Sequence, residues 1–178
     1  GGTLLIRPKT PSSQERQLRY QITGGSFGYL KNALSLDYGT RKHRLNLSIN
    51  DIHSNGWREN NEFDRLSAGL TYTTYLSQKT SFDLITNLID LKAFIPSSLN
   101  RTTFESNPEA AAPNWKGAEG FEDYIKTLAG MGVRHHINDR SEVYAGLFWS
   151  YRDAYERRPF NNLHENTHVV GGRGTYHY

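Results

Sequence analysis

The amino-acid sequence predicts an all-β protein, an antiparallel up-and-down β-barrel of the transmembrane kind. Apolar and polar residues alternate along eight segments, and the connections between those segments are alternately short and long. Aromatic residues make up 12% of the 178 residues and lie mainly near segment ends. Lipid offers the backbone no hydrogen bonds, so strands that cross a membrane must pair with each other, and their side chains then point alternately to lipid and to lumen.

The alternation identifies the strands one by one. The segments are, in chain order, 18–22, 29–38, 43–50, 63–73, 80–93, 124–135, 142–152 and 167–178. Leu45 and Leu47, for example, alternate with Asn46. Segment 80–93 is less regular, because Ile85 and Ile89 fall on the side of its polar residues. Its two faces are therefore left unassigned.

The predicted connections fall into two groups. Residues 39–41, 76–79 and 137–140 are tight turns, whereas about 54–62, 94–123 and 153–166 are long polar loops. Residues 24–28 are the one tight link at the long-loop end. A soluble barrel or sandwich also alternates, with its apolar side inward, so alternation alone does not choose between them. The loop asymmetry and the small or polar second face favour the membrane barrel.

Composition excludes several other classes. The chain has 21 basic and 18 acidic residues, a net charge of +3, a mean hydropathy of -0.70 and no cysteine. No stretch approaches the ~20 apolar residues of a spanning helix. A helical membrane protein, a disulfide scaffold and a thiolate metal site are all excluded. Because the chain begins at Gly1 without the features of a signal peptide, we interpret it as an internal fragment.

Two histidine motifs are weighed as metal sites. Residues 164–168 read His-Glu-Asn-Thr-His, which fits a zinc site only on a helix, but the β-branched and glycine-rich residues that follow favour a strand. His135 and His136 are neighbours on a strand and point to opposite faces. No catalytic arrangement is found, so we expect no enzyme activity, no metal, no cofactor and no nucleic-acid partner.

The alternation also sorts side chains between lumen and lipid. Polar residues expected to face the lumen, where they contact a plug and internal water, are Lys31, Asp37, Arg44, Asn46, Asn50, Arg65 and Arg134. Aromatic residues suited to interfacial girdles are Tyr20, Tyr38, Tyr72, Trp149 and Tyr151.

Several motifs resemble those of TonB-dependent outer-membrane receptors. Residues 1–10 (Gly-Gly-Thr-Leu-Leu-Ile-Arg-Pro-Lys-Thr) resemble the end of the plug domain, residues 24–28 the first strand-loop motif, and residues 54–60 a run in the second long loop. Residues 93–99 together with 104–108 resemble the third loop of receptors in the ferric-siderophore and ferric-citrate branch, and residues 151–156 with 158–160 are also similar to that group. The motifs occur in family order.

The resemblance implies a fold and a function. Residues 1–10 would be the plug tail, and residues 11–178 the first eight strands of a plugged barrel of about 22 strands. The expected activity is energy-coupled uptake of a ferric siderophore or ferric citrate across the outer membrane of a Gram-negative bacterium. A TonB-type protein would supply energy through plug segments absent from this sequence, and lipopolysaccharide would surround the barrel.

The loop rim supplies the candidate substrate contacts. Cationic and aromatic side chains suit an anionic iron chelate, and the candidates are Trp57, Arg58, Arg152, Tyr155, Arg157 and Arg158. The alternative for each is a position on a rim that is solvated, faces lipopolysaccharide or packs between loops. A small closed eight-stranded outer-membrane barrel with a structural or lipid-modifying role is the alternative for the whole chain.

Overall fold

A computed structural model describes residues 9–178 as one antiparallel sheet with two short helices. Of the predicted plug tail, residues 1–8 lie outside the described residues. The strands are β1 (Arg16–Gly24), β2 (Leu30–Gly39), β3 (His43–Ser54), β4 (Phe63–Tyr75), β5 (Thr80–Phe94), β6 (Phe121–Asn138), β7 (Ser141–Arg157) and β8 (Asn162–His177). The helices are α1 (Arg101–Ser106) and α2 (Pro113–Ala118).

Each strand pairs with its neighbours in sequence, in the order β1 to β8. The predicted all-β, up-and-down fold with eight strands is confirmed. Over residues 9–178 no pairing joins β8 to β1, so the sheet is open. The two alternatives, a closed eight-stranded barrel and a two-layer sandwich, do not fit one open sheet.

The register divides the side chains between two faces. One face has apolar rows such as Leu36, Leu47 and Leu70, which are partners across β2, β3 and β4; we call it the apolar face. The next row, Asp37 with Asn46, belongs to the opposite side, the polar face. By this register all seven predicted lumen residues share the polar face, and all five predicted girdle aromatics share the apolar face.

The register also assigns the two faces of the irregular strand β5. Ile85 pairs with Thr71 and Gly130, and Ile89 pairs with Ser67, which places both isoleucines on the polar face. The polar face therefore carries an apolar patch in β5, a departure from simple alternation that pattern alone could not assign.

The apolar face has no covering layer within residues 9–178. Leu18 is 70% exposed and Leu147 is 64% exposed, while the buried hydrophobic residues of the described range are only Ala111, Ala112 and Ala154. A soluble sandwich buries the apolar side of its sheet, and exposed apolar surface of this extent marks an interaction with lipid or protein. Over residues 9–178 the sheet is a single layer and has no hydrophobic core of large side chains.

The connections separate into two rims. The tight-turn rim has residues 40–42, 76–79 and 139–140, and the loop rim has residues 25–29, 55–62, 95–120 and 158–161. The predicted long loop at 153–166 is wrong, because β7 runs to Arg157 and β8 starts at Asn162. Beyond Arg152 most residues on both faces of the two strands are polar, so the amphipathic pattern fades while the pairing continues.

Two large rings lie flat against the polar face. A methyl group added to Gly132 would come within 2.4 Å of the Tyr144 hydroxyl, and one added to Gly171 would come within 2.4 Å of the Phe148 ring. Glycine at these two positions leaves room for an aromatic ring directly on the backbone.

Neither α1 nor α2, nor any other helix between residues 9 and 178, is long and apolar enough to cross a membrane.

Candidate functional site

Residues 58–60, which we call the loop clamp, hold the long loop 95–120 at the loop rim. Arg58 donates from Nε and Nη2 to the carbonyl oxygen of Ala110, at 3.1 and 2.7 Å, and from Nη1 to that of Ser97 at 2.8 Å. A guanidinium presents its donors in a fixed fork, so one side chain can hold two points of a loop at once. Arg58 thus connects two loops, the alternative role expected of it.

Asn60 closes the same loop at its two ends. Its Nδ2 donates to the carbonyl oxygen of Ile95 at 2.9 Å and to that of Gly120 at 3.0 Å. Asn60 has a φ of 53°, a left-handed conformation that asparagine tolerates better than most residues. The conformation aims the amide at the two ends of loop 95–120.

Glu59 is the acidic member of the loop clamp. Its Oε1 lies 2.7 Å from Nζ of Lys116, its Oε2 accepts from the Ala111 N–H at 3.3 Å, and its backbone N–H donates to Glu109 at 2.8 Å. The Lys116 ammonium, followed by the Ala111 N–H, holds the pKa of the Glu59 carboxyl below its ordinary value. The carboxylate form is therefore the one that binds the loop.

Acid is expected to loosen loop 95–120 through Glu59. A carboxyl whose pKa is lower in the folded state adds stability that is fully present above its unfolded pKa, here 4.5, and is lost as the pH falls through the lower folded pKa. Hydrogen exchange of the Ala111 amide, corrected for intrinsic rate, should accelerate below pH 4.5. In Glu59→Gln this acceleration should be absent; an unchanged pH dependence in that variant would contradict the assignment.

A pocket of about 460 Å³ opens at the loop rim between the β1–β2 link and the loop 55–62. We call it the aromatic pocket, since four of its lining residues are Phe27, Tyr29, Trp57 and Phe63. The remaining lining residues are small or polar: Gly25, Ser26, Ser54, Gly56 and Asn61. Ser54 and Phe63 are cross-strand partners on the polar face, so the pocket lies at the loop-rim end of that face.

Hydrogen bonds and backbone geometry fix the walls of the aromatic pocket. The Asn55 N–H donates to the carbonyl oxygen of Phe27 at 2.9 Å, and the Gly56 N–H donates to Oγ of Ser54 at 3.1 Å. Gly56 has a φ of 72°, and a Cβ there would lie 2.3 Å from the carbonyl oxygen of Asn61. Only glycine fits this position without moving the wall.

Arg152 lies on the polar face of β7 and is fully engaged there. Its guanidinium pairs with Glu165 at 2.5 Å and with Glu122 at 2.8 Å, and it lies over the Tyr124 ring at 5.3 Å from the centroid. These contacts join β6, β7 and β8 across the wall.

The remaining candidate residues lie on other parts of the loop rim and of β7. Tyr155 and Arg157 are on the apolar-face side of β7, opposite Arg152, while Arg158 lies in the link to β8 and pairs with Glu156 at 2.5 Å. Trp57 is 47% exposed at the aromatic pocket. The structure thus does not bring the six predicted residues to one point, and substrate contact by each stays a prediction.

The histidine motifs take positions that oppose joint metal binding. His164 and His168 lie in strand β8, where Nε2 of His164 is 2.9 Å from Asp153 and Nδ1 of His168 accepts from Trp149 at 3.3 Å. His135 and His136 fall on opposite faces of β6. Across residues 9–178 no three acidic or histidine side chains are grouped as a metal site.

The segment before β1 lies on the polar face. Nζ of Lys9 is 2.6 Å from carboxylates of both Asp37 and Glu15, and Asp37 is 3% exposed. The Gly39 N–H donates to the Glu15 carbonyl oxygen at 2.7 Å. This contact fixes where the chain enters the sheet.

An open sheet with one apolar and one polar face, tight turns at one rim and loops at the other, has the fold of a section of an up-and-down β-barrel. The solved structures to which it is similar include the ferric-catecholate import receptor Fiu from E. coli K12. Its closed form has a TM-score of 0.66 and 11% identity over 94% of this chain and 28% of that one. Its open form has a TM-score of 0.65 and 13% identity over 94% of this chain and 30% of that one.

This similarity is one of fold. The chain spans less than a third of the length of the receptor structures it matches. No protein-family model and no curated protein sequence matches the chain.

Proposed function

We propose that this chain is a section of the barrel of an outer-membrane receptor that imports a ferric chelate into a Gram-negative bacterium, without enzymatic chemistry. The observation that carries the proposal is the similarity of 94% of the chain to the barrel of a ferric-catecholate import receptor. The protein would bind the chelate at the loop rim and pass it along the polar face.

The two faces of the sheet support this placement. The apolar face, with rows such as Leu36, Leu47 and Leu70, suits lipid, while the polar face offers hydrogen bonds to a hydrated lumen. The aromatic residues Tyr38, Tyr72 and Trp149 on the apolar face suit the boundary with lipid headgroups and lipopolysaccharide.

Energy for uptake would come from a TonB-type partner. Transport of a scarce chelate against its gradient needs a source of energy, and the resemblance of residues 1–10 to a plug tail assigns the coupling to segments outside this sequence. The contact of Lys9 with Asp37 supports the view that the plug reaches the barrel along the polar face.

Ferric siderophores of the catecholate class are the first candidates for the cargo. Both solved structures named above are of a ferric-catecholate receptor, so the expected alternative, ferric citrate, receives no support from them.

Uptake by the full-length protein that contains this chain tests the proposal. Iron-starved cells that lack other iron receptors would express it and receive radioactive iron as a ferric catecholate, a ferric hydroxamate or ferric citrate. We expect uptake of the ferric catecholate that stops when TonB is deleted. Absence of TonB-dependent uptake for all three chelates, with the protein present in the outer membrane, would overturn the proposal.

A further inference from the structure

We propose that the aromatic pocket is a subsite for an aromatic ring of the imported chelate. The inference rests on the proposed function and adds the chemical class of ligand and the residues that hold it. Three of these residues, Phe27, Tyr29 and Phe63, were not among the predicted contacts, and Trp57 was.

The lining of the pocket suits one planar ring. Phe27 and Tyr29 come from the β1–β2 link, Trp57 from the loop 55–62 and Phe63 from the start of β4. Aromatic rings stack on each other through offset or edge-to-face contacts, which a saturated ligand cannot reproduce. Phe27 is 56% exposed, so the mouth of the pocket is accessible from the loop rim.

Polar groups in the pocket can orient the ring. Within residues 9–178, the side chains of Ser26 and Asn61 make no hydrogen bond to another residue, although both line the pocket. A hydroxyl and an amide can donate to the oxygen atoms of an aryl chelate. Ser54, by contrast, is already used to hold the Gly56 N–H.

Positive charge lies directly below the pocket on the polar face. Lys31 and Arg65 are both partners of Ile52, one row from the Ser54–Phe63 pair. Among the described residues, neither has a carboxylate within 4.0 Å, whereas Arg152 is paired with two. Two cations that have no carboxylate within 4.0 Å among residues 9–178, beside an aromatic pocket, match a ligand that is both aromatic and anionic.

The pocket has a fixed shape before any ligand arrives. Its two walls are connected by the hydrogen bond from Asn55 to Phe27, and Gly56 holds the loop in a conformation that other residues resist. A preformed pocket loses little conformational entropy on binding.

Binding to the purified full-length receptor tests the inference. The probes are a ferric tris-catecholate and a ferric hydroxamate without aromatic rings, and the variants are Trp57→Leu and Phe63→Leu. Each variant should weaken ferric-catecholate binding about five- to tenfold, as expected for loss of one aromatic contact. Phe160→Leu is the matched control, because Phe160 is 88% exposed in the β7–β8 link; its affinity should be unchanged.

A second variant guards against misfolding. Trp57→Phe retains an aromatic ring, so it should keep the affinity yet lose the part of the tryptophan fluorescence that the ferric catecholate quenches. Wild-type affinity in Trp57→Leu and Phe63→Leu, or unchanged quenching in Trp57→Phe, would overturn the subsite while leaving the receptor function intact. If the wild-type protein binds neither ferric chelate, the proposed function itself fails and the subsite with it.

Discussion

Replacing Leu47 with arginine is expected to lower the free energy of unfolding of the full-length protein in lipid vesicles by about 2–4 kcal/mol, the cost of arginine facing the middle of a bilayer. Leu47 lies between Leu36 and Leu70 in one row of the apolar face. The charge would have to leave lipid or draw water into it, and either route is unfavourable. Urea unfolding monitored by tryptophan fluorescence measures the loss.

The neighbouring position supplies the control. Ser48 points to the polar face one residue away, where Ser48→Arg would meet the hydrated lumen and should cost less than about 1 kcal/mol. Equal losses of unfolding free energy in the two variants would mean that the two faces do not contact different environments. The membrane placement would then be wrong.

Removal of the Arg58 guanidinium is expected to free loop 95–120. Arg58→Ala loses three hydrogen bonds from a charged donor group, which should lower the free energy of local opening by about 2–3 kcal/mol. Amide hydrogens within the loop should then exchange about 30 to 150 times faster, since 1.4 kcal/mol corresponds to a factor of ten. Mass spectrometry of peptides from residues 95–120 measures the change.

Two further variants identify the cause. Arg101→Ala removes an exposed pair with Glu105 in the same loop and should leave exchange nearly unchanged. Arg58→Lys keeps the charge without the fork and should recover only part of the protection. If Arg58→Lys protects the loop as well as arginine does, charge alone would explain the effect and the fork geometry would be irrelevant.

The faces of the sheet were predictable from the sequence because strand geometry alone determines them. Side chains alternate with a period of two, so Leu45 and Leu47 had to share a side once the segment was a strand. The predicted polar set, from Lys31 to Arg134, occupies one face for the same reason. The tight turns and the long loops at 54–62 and 94–123 followed from composition, whereas the long loop predicted at 153–166 did not form. The separation of turns and loops onto two rims follows from the meander.

The loop-rim ends of β7 and β8 were not predictable from the alternation of polar and apolar residues. Amphipathic alternation identifies a strand only where its two sides meet different environments. Beyond Arg152 most residues on both sides are polar, so the continued pairing of Asp153 with Asn166 and of Tyr155 with His164 left no alternating pattern in the sequence. The same reasoning explains why the faces of β5 could not be assigned.

The candidate site was predicted in part. The type of residue indicated a role at the loop rim for Trp57 and Arg58, but the partners of Arg58 are backbone carbonyls in a distant loop, which no sequence motif marks. Tyr29 and Phe63 resembled ordinary strand residues. They form a pocket only because the register brings the β1–β2 link beside the loop 55–62.

The rings that lie flat on Gly132 and Gly171 have a consequence for the proposed transport. A tyrosine and a phenylalanine project from β7 on the polar side, yet each lies along the wall because the glycine beneath it has no side chain. In the proposed receptor, the bore would therefore keep clearance at a height where two bulky side chains would otherwise narrow it. Glycine in this wall would then set the width available to cargo as well as the shape of the strand.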